Sequence, residues 1–395
     1  MNTAPSDIRP IDANVRIEWV ETVIVDLPLR RLQQFARLGS TKQSSVVVRI
    51  GTDNGVVGIG EAIAPCGPWW SGDSVEAMKQ TLDHHLAPLL IGERVLDAHR
   101  VAAKLRRTVR NNAFAKAGVE MAMLDAAGKL LGVPVHVLLG GKFRESLPVA
   151  WPLATGDVRQ ELEEAQGMLA DGKAGAFKLK MGALPFEKDI SRAVTIAREL
   201  GGRAQVRVDP NEAWDEATTM RALEPLEDAG VTIIEQPVAR WNLDAMARIN
   251  QRCRCVLLID EGVQTVHDMV EVTKRAAAGM VSLKIMKTGG IRAARTMAEM
   301  ASASGLPVYM GTFLETSIGT AANMQLAASL EALPYGGEVI GPLLLEEDLC
   351  VENAQYREHA LWLPSGPGLG VTLDEAQMRR LARGKPHRTH TAANQ

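Results

Sequence analysis

The chain has 395 residues, 46% of them hydrophobic and 23% charged, with 44 Lys and Arg against 47 Asp and Glu. A net charge of −3 and an aromatic content of 4% argue against broad electrostatic capture of nucleic acid or an anionic membrane, and leave little material for base stacking. The length allows two domains or one elaborated domain, and four cysteines cannot form a disulfide framework, which fits a reducing, cytoplasmic setting.

Residues 1–16 are polar and lack the apolar core of a signal peptide, and the segment 384–395 (GKPHRTHTAANQ) is similar, so both are expected to be tails. No apolar run reaches the roughly 18 residues of a membrane helix. Residues 17 to about 64 are rich in β-branched residues and contain the turn Thr52-Asp53-Asn54-Gly55, which is hairpin chemistry. The GIGEA that follows has Gly58 and Gly60 but no third glycine and no helix after it, so it is not read as a dinucleotide site. From Ser74 to Gly132 the pattern is helical. Phe114, Ala117, Met121 and Leu124 recur at helical spacing, and Gly132 and Pro134 stop the run. Strands then helices predict an α+β domain over residues 17–141.

After Gly140-Gly141, eight short apolar runs alternate with helical stretches: LPVAWPLA, GAFKLKMG, AQVRVDPN, VTIIEQPV, VLLIDEG, MVSLKIMK, LPVYMGT and GGEVIGP. Eight βα units predict a (β/α)8 barrel over residues 142–350. Residues 351–383 leave that pattern and are expected to return to the first domain.

Most of the runs end in a charged residue, one βα unit apart: Lys180, Asp209, Glu235, Asp260 and Lys284. A barrel gathers the C-terminal ends of its strands on one face. Asp209, Glu235 and Asp260 then form an all-carboxylate set suited to a hard cation, Mg2+ or Mn2+ rather than Zn2+, and no histidine falls at a strand end. Lys178 and Lys180, at i and i+2, both face the barrel interior, and Lys284 comes from the roughly opposite side. Lysines flanking a metal suit proton transfer at carbon beside a carboxylate, with ammonium pKa values shifted down by the metal and each other. Asn211 shares the face of Asp209, either orienting a ligand or capping the next helix. Glu261 is expected to pair with Lys178 and Lys180, and Glu338 to meet substrate or Lys284. Glu315, just past the seventh strand, is a weaker candidate. Trp69 and Trp70, in PCGPWW, suit a wall over a planar diacid, a cage for a cationic amine, or a plug between the two domains. Loop residues 29–31 and 37–43 are candidates for carboxylate contacts, and Cys253-Arg254-Cys255 lacks the spacing of a metal or redox motif.

KLK at 178–180, VDPN at 208–211, IIEQP at 233–237, IDEG at 259–262 and SLKIMKTGG at 282–290 resemble the enolase superfamily, muconate-lactonizing subgroup. IGPLLLEEDL and PGLGVTLDE, at 340–349 and 367–375, resemble the C-terminal segment of muconate and chloromuconate cycloisomerases. The resemblance implies an α+β capping domain, completed by a C-terminal segment, over a modified TIM barrel. It implies a divalent metal on Asp209, Glu235 and Asp260, with Lys180 as proton donor for syn addition and Lys284 for charge stabilisation or anti addition. Lys178 would sustain the electrostatics of Lys180, and Glu338 matches a substrate-contacting position. The implied role is cycloisomerisation of cis,cis-muconate or a substituted muconate in aromatic-compound catabolism, by a homo-oligomer, with an octamer suggested. Racemisation or epimerisation of N-acyl amino acids or dipeptides, and an o-succinylbenzoate-type dehydration, would use the same lysines. A carboxylate-binding barrel without catalysis would need the metal but not two opposed lysines. The chain departs from the family's DVNQ at Asp209-Pro210-Asn211-Glu212, and its capping loop is bulkier than the family pattern.

Overall fold

The computed structural model describes residues 13–35 and 38–390, without the side chains of 34, 35 and 38. Three antiparallel strands open the chain: β1 (Ile17–Phe35), β2 (Leu38–Thr52) and β3 (Val57–Ile63). The predicted turn joins β2 to β3, with Thr52 N–H donating to the Val56 carbonyl at 3.0 Å and Gly55 at φ +85°. The helix Ala113–Leu131 lies on β3 and is buried almost all round, as expected of a helix held between a sheet and a second domain. Gly58 and Gly60 explain themselves here. A Cβ on Gly58 would lie 2.0 Å from the Ala122 carbonyl, and one on Gly60 2.2 Å from that of Gly118. They serve close helix–sheet approach, not phosphate.

A short strand β4 (Ser146–Pro148) leads into the barrel. Its strands β5 (Ala150–Leu153), β6 (Ala176–Lys180), β7 (Gln205–Asp209), β8 (Val231–Glu235), β9 (Val256–Ile259), β10 (Met280–Leu283) and β11 (Val308–Met310) form one parallel sheet in chain order. Helices separate successive strands, as the alternation predicted. The eighth run is not a strand. Gly337 makes single-residue bridges to Met310 and to Val149, which precedes β5, and so occupies the eighth position. Gly336 is left-handed (φ +66°), and a Cβ on Gly337 would meet Met310 at 2.8 Å, so this crowded corner takes glycine rather than a regular strand.

The C-terminal segment divides. β12 (Tyr356–Arg357) pairs with β13 (Ala360–Trp362), which pairs with β4 at the entry to the barrel. The helix Glu375–Leu381 and β14 (Ala382–His390) reach the first domain, where β14 pairs antiparallel with β1. The segment from 384 to 390 is therefore part of the sheet, not a tail. Basic residues of β14 find acids on β1: Arg383 Nε lies 2.8 Å from Asp26 and Arg388 Nε 2.8 Å from Glu21, with Arg388 over the Trp19 ring. Val15, also assigned to a tail, is buried, and its carbonyl accepts from Val95 N–H. Residues 1–12 and 391–395 lie outside the described residues. No helix among the described residues is long and apolar enough to cross a membrane.

Candidate functional site

Register puts the site together. Lys180 and Asp209 are parallel-sheet partners at the ends of β6 and β7, and Glu235 ends β8. Asp260 follows β9 and Lys284 follows β10. Asn211, Glu212 and Gln236, at the loops leaving β7 and β8, have φ of 44°, 65° and 30°. Such left-handed non-glycine residues are held only where surroundings over-determine them. Gln236 shows how. Its Oε1 accepts from the N–H groups of Asp260 and Gly262 at 3.1 and 3.0 Å, while its Nε2 donates to the Val238 carbonyl, fixing two strand ends at once.

The floor is a buried lattice of acids and lysines. Lys178 Nζ lies 3.2 Å from Asp209 and 3.0 Å from Glu235, and also pairs with Glu338. Lys180 Nζ lies 2.6 Å from Asp209 and donates to Asn211 Oδ1 at 3.0 Å. Lys284 Nζ lies 2.5 Å from Asp260 Oδ2. Lys287, which the strand-end pattern missed, donates to the other Asp260 oxygen at 2.8 Å and to its carbonyl at 2.7 Å. The local signal for it was the second lysine of KIMK, one helical turn beyond Lys284.

Two expected pairings differ. Glu261 meets Asn211 Nδ2 at 3.0 Å rather than Lys178 or Lys180, because Asp209 and Glu235 already engage those ammonium groups. Glu338 pairs with Lys178 rather than Lys284, which is taken by Asp260. Glu315 is folded into its own turn, its Oε2 accepting from Thr312 Oγ1 at 2.5 Å and Phe313 N–H at 2.9 Å, and it does not line the cleft.

Electrostatics follow from crowding. Burial raises Glu235, and the Asp209 charge adds to it, taking it to about 7. Burial and then Asp260 push Glu261 to about 8, and its Oε2 is buried with no partner among the described residues. For Asp260 the burial cost is outweighed by Lys284 and Lys287, which hold it well below the usual carboxylate range. Burial pulls Lys284 down, but Asp260 and then Glu235 outweigh it, so the ammonium is raised. Lys178 is likewise raised, by Glu235, Glu338 and Asp209. In both, the carboxylates that face the ammonium directly are the physical cause.

An all-oxygen acid set with strained ionisation and an orphaned Glu261 oxygen fits a hard divalent cation. The tightest trio of ligand atoms among the described residues lies elsewhere: Glu227, Cys253 and Cys255 fall within 4.8 Å of one another, ahead of β9 at the opposite end of the barrel. Glu227 is already engaged by Arg254, through its backbone N–H and its Nε at 2.8 Å.

Above the floor is a small cleft. Its lining joins Lys178, Lys180, Lys284, Asn211 and Glu338 to Trp70 and Pro65 of the first domain, and to Phe313 and Leu314. Lys284 Nζ sits 5.1 Å from the Trp70 ring centroid and 4.7 Å from that of Phe313. Trp70 is thus a wall over the lysine and a packing element at once, edge-on to Phe313 at 4.7 Å. Trp69 is exposed. Arg240, which sequence reasoning missed, donates to the Trp70 carbonyl at 3.0 Å and is clamped by both oxygens of Glu212. The departure at Glu212 therefore has a partner: it holds the arginine that holds the capping loop. Arg31 is spent on the Pro152 carbonyl and Glu164, and Arg30 reaches the Glu346 carbonyl, so neither lines the cleft. Arg37 lies outside the described residues.

Comparison with known proteins agrees with this architecture. Residues 19–140 match the family described as mandelate racemase / muconate lactonizing enzyme, N-terminal domain, and residues 160–377 match enolase C-terminal domain-like proteins. The chain is 71% identical over 366 residues to a chloromuconate cycloisomerase of Cupriavidus pinatubonensis, covering 93% of this chain and 98% of the relative. It is 44% identical over 372 residues to muconate cycloisomerase 1 of Pseudomonas putida, covering 94% and 99%. A crystal structure of muconate lactonizing enzyme from Pseudomonas fluorescens complexed with muconolactone aligns with a TM-score of 0.92 at 40% identity, covering 94% and 100%.

Proposed function

The chain belongs to the mandelate racemase / muconate lactonizing enzyme family of the enolase superfamily, and on that premise we propose that it is a metal-dependent cycloisomerase of cis,cis-muconate or a chloro-substituted muconate. The observation that carries the reading is the pair Lys180 and Lys284, set around one small cleft with an acid floor and an apolar roof. Asp209, Glu235 and Asp260 would hold Mg2+ or Mn2+. When bound, such a cation supplies charge stabilisation to a carboxylate that is becoming an enolate.

The chain's own residues do the rest. One carboxylate oxygen of the diacid bonds to the distal double bond, and the electron pair moves toward the other carboxylate. Lys180 delivers a proton to the carbon beside that carboxylate, for a syn addition, and is reprotonated from water. The dianion thereby takes up one proton and leaves as a lactone monoanion. Lys284, on Asp260 and beneath Trp70, stabilises the developing charge from the other face, or is the donor if the addition is anti. Lys178 holds Asp209, Glu235 and Glu338 in place around Lys180. Trp70, Phe313 and Pro65 exclude water, so that an enolate is protonated by lysine rather than by solvent. Racemase and dehydratase readings use the same lysines but gain nothing from relatives that match end to end as cycloisomerases. Four unpaired cysteines are consistent with a cytoplasmic enzyme.

The test is a substrate panel with Mg2+ or Mn2+. Muconate and chloromuconate absorbance is followed beside circular dichroism of N-acyl amino acids. We expect muconate loss with no racemisation. Silence on muconates together with racemisation of an amino-acid derivative would overturn the assignment. Deuterium placement in lactone formed in D2O decides between syn and anti addition.

A further inference from the structure

Two glutamines of the capping domain are buried near the cleft, and they differ in one respect. Gln43 is fully satisfied: its Oε1 accepts from Cys66 N–H at 3.0 Å and its Nε2 donates to the Ala64 carbonyl at 2.9 Å, anchoring the start of the capping loop. Gln33, on β1, is 2% exposed and lines the cleft, yet its Oε1 is buried with no hydrogen-bond partner among the described residues. Buried amides are normally paired, and an unpaired one costs stability unless a ligand completes it. The rest of the roof offers no alternative role for it. Pro65, Trp70, Phe313 and Leu314 are largely apolar, and the hydroxyl of Thr312, which also lines the cleft, is spent on Glu315, so Gln33 is the polar side chain left for a ligand there. The lysines of the floor are all engaged by carboxylates.

A muconate dianion carries a carboxylate at each end of a short planar chain. The charged floor serves one end. The other end, lodged against an apolar roof, needs a donor, because an unpaired carboxylate in such surroundings is costly. We propose that Gln33 is a substrate-binding residue whose amide N–H donates to the carboxylate of the diacid that does not meet the floor, selecting dicarboxylates over monoacids. The orphaned Oε1 is an acceptor and a carboxylate has no proton to give it, so binding requires a half-turn of the amide that brings the near-isosteric Nε2 into that position. This inference rests on the cycloisomerase reading above.

The experiment is Gln33→Leu, which keeps the bulk and removes the donor, measured beside the wild type with cis,cis-muconate and with thermal denaturation. We expect KM to rise and kcat/KM to fall about 10- to 100-fold, the loss typical of a hydrogen bond to a charged group. We also expect Tm to stay level or rise, because an unsatisfied buried amide has gone. A residue with a purely structural role would instead lower Tm. Wild-type kcat/KM in the variant, a loss confined to kcat, or a loss that accompanies a fall in Tm would each overturn the role of Gln33 while leaving the cycloisomerase assignment standing. A wild type inactive on every muconate would overturn both.

Discussion

Glu61 offers the sharpest test of the physical picture. It lies on β3, fully buried, where the capping domain meets the barrel. Its Oε2 accepts from Ser45 Oγ and Thr316 Oγ1, each at 3.0 Å, and its Oε1 from Gly319 N–H at 2.8 Å. Burial, and then the charge of nearby Glu315, raise it from an ordinary 4.5 to about 8. The sign follows directly. Between those two values the unfolded chain has released this proton and the native one has kept it, so stability falls as pH rises through that window. For a group moving from 4.5 to about 8 the accumulated loss by pH 8 is ~4 kcal/mol. Glu61→Gln removes the titration while preserving the contacts: the amide oxygen faces Gly319 N–H and the NH2 faces the two hydroxyls. Chemical denaturation of both proteins at pH 5, 6.5 and 8 reads the difference. The glutamine variant is expected to be ahead by under about 1 kcal/mol at pH 5 and by ~4 kcal/mol at pH 8. A difference that stays constant across this range would refute the buried, protonated state assigned to Glu61.

Lys180→Ala and Lys284→Ala are each expected to cut turnover by about 10²- to 10⁴-fold with an unchanged far-UV spectrum, and full activity in both would remove the acid/base assignment. Arg240→Ala should release the Trp70 carbonyl and the Glu212 clamp. Because that pair is partly exposed, its loss is worth about 1 kcal/mol, seen as a KM rise of roughly 5-fold and greater acrylamide quenching of tryptophan fluorescence. Exhaustive chelation should abolish activity and Mg2+ or Mn2+ restore it; activity in protein shown metal-free by elemental analysis would contradict the cation site. Deleting residues 383–395 removes most of β14 with its Arg383 and Arg388 pairs and should lower Tm by a few °C, whereas an unchanged Tm would mean the strand adds nothing.

Much of the site was legible along the chain. Polar residues ending apolar runs at one-βα-unit intervals must share a barrel face, because strand direction and pleat dictate where each side chain emerges. That places Lys178, Lys180, Asp209, Glu235, Asp260 and Lys284 together before any contact is known. The pairings of Lys287, Glu261 and Glu338 were not legible, since which acid takes which ammonium is settled by competition among groups brought together only by closure.

The amino-acid sequence by itself therefore determined the barrel alternation, the hairpin at Thr52–Gly55, the stop at Gly132 and the chemistry at the strand ends, all consequences of local period and local backbone preference. Tertiary structure alone decided the rest. Gly336 and Gly337 occupy the eighth position as a tight corner because Pro148 and Met310, respectively, leave no room for a Cβ. The segment after Gly384 looks solvated by composition, yet it forms a strand because β1, with Glu21 for Arg388, supplies its partners from far away in sequence. Gln33 and Arg240 acquire their meaning only when the capping domain closes over the lysines. Their relevant neighbours are dozens to hundreds of residues away, and no local pattern encodes an energy that exists only between surfaces brought into contact.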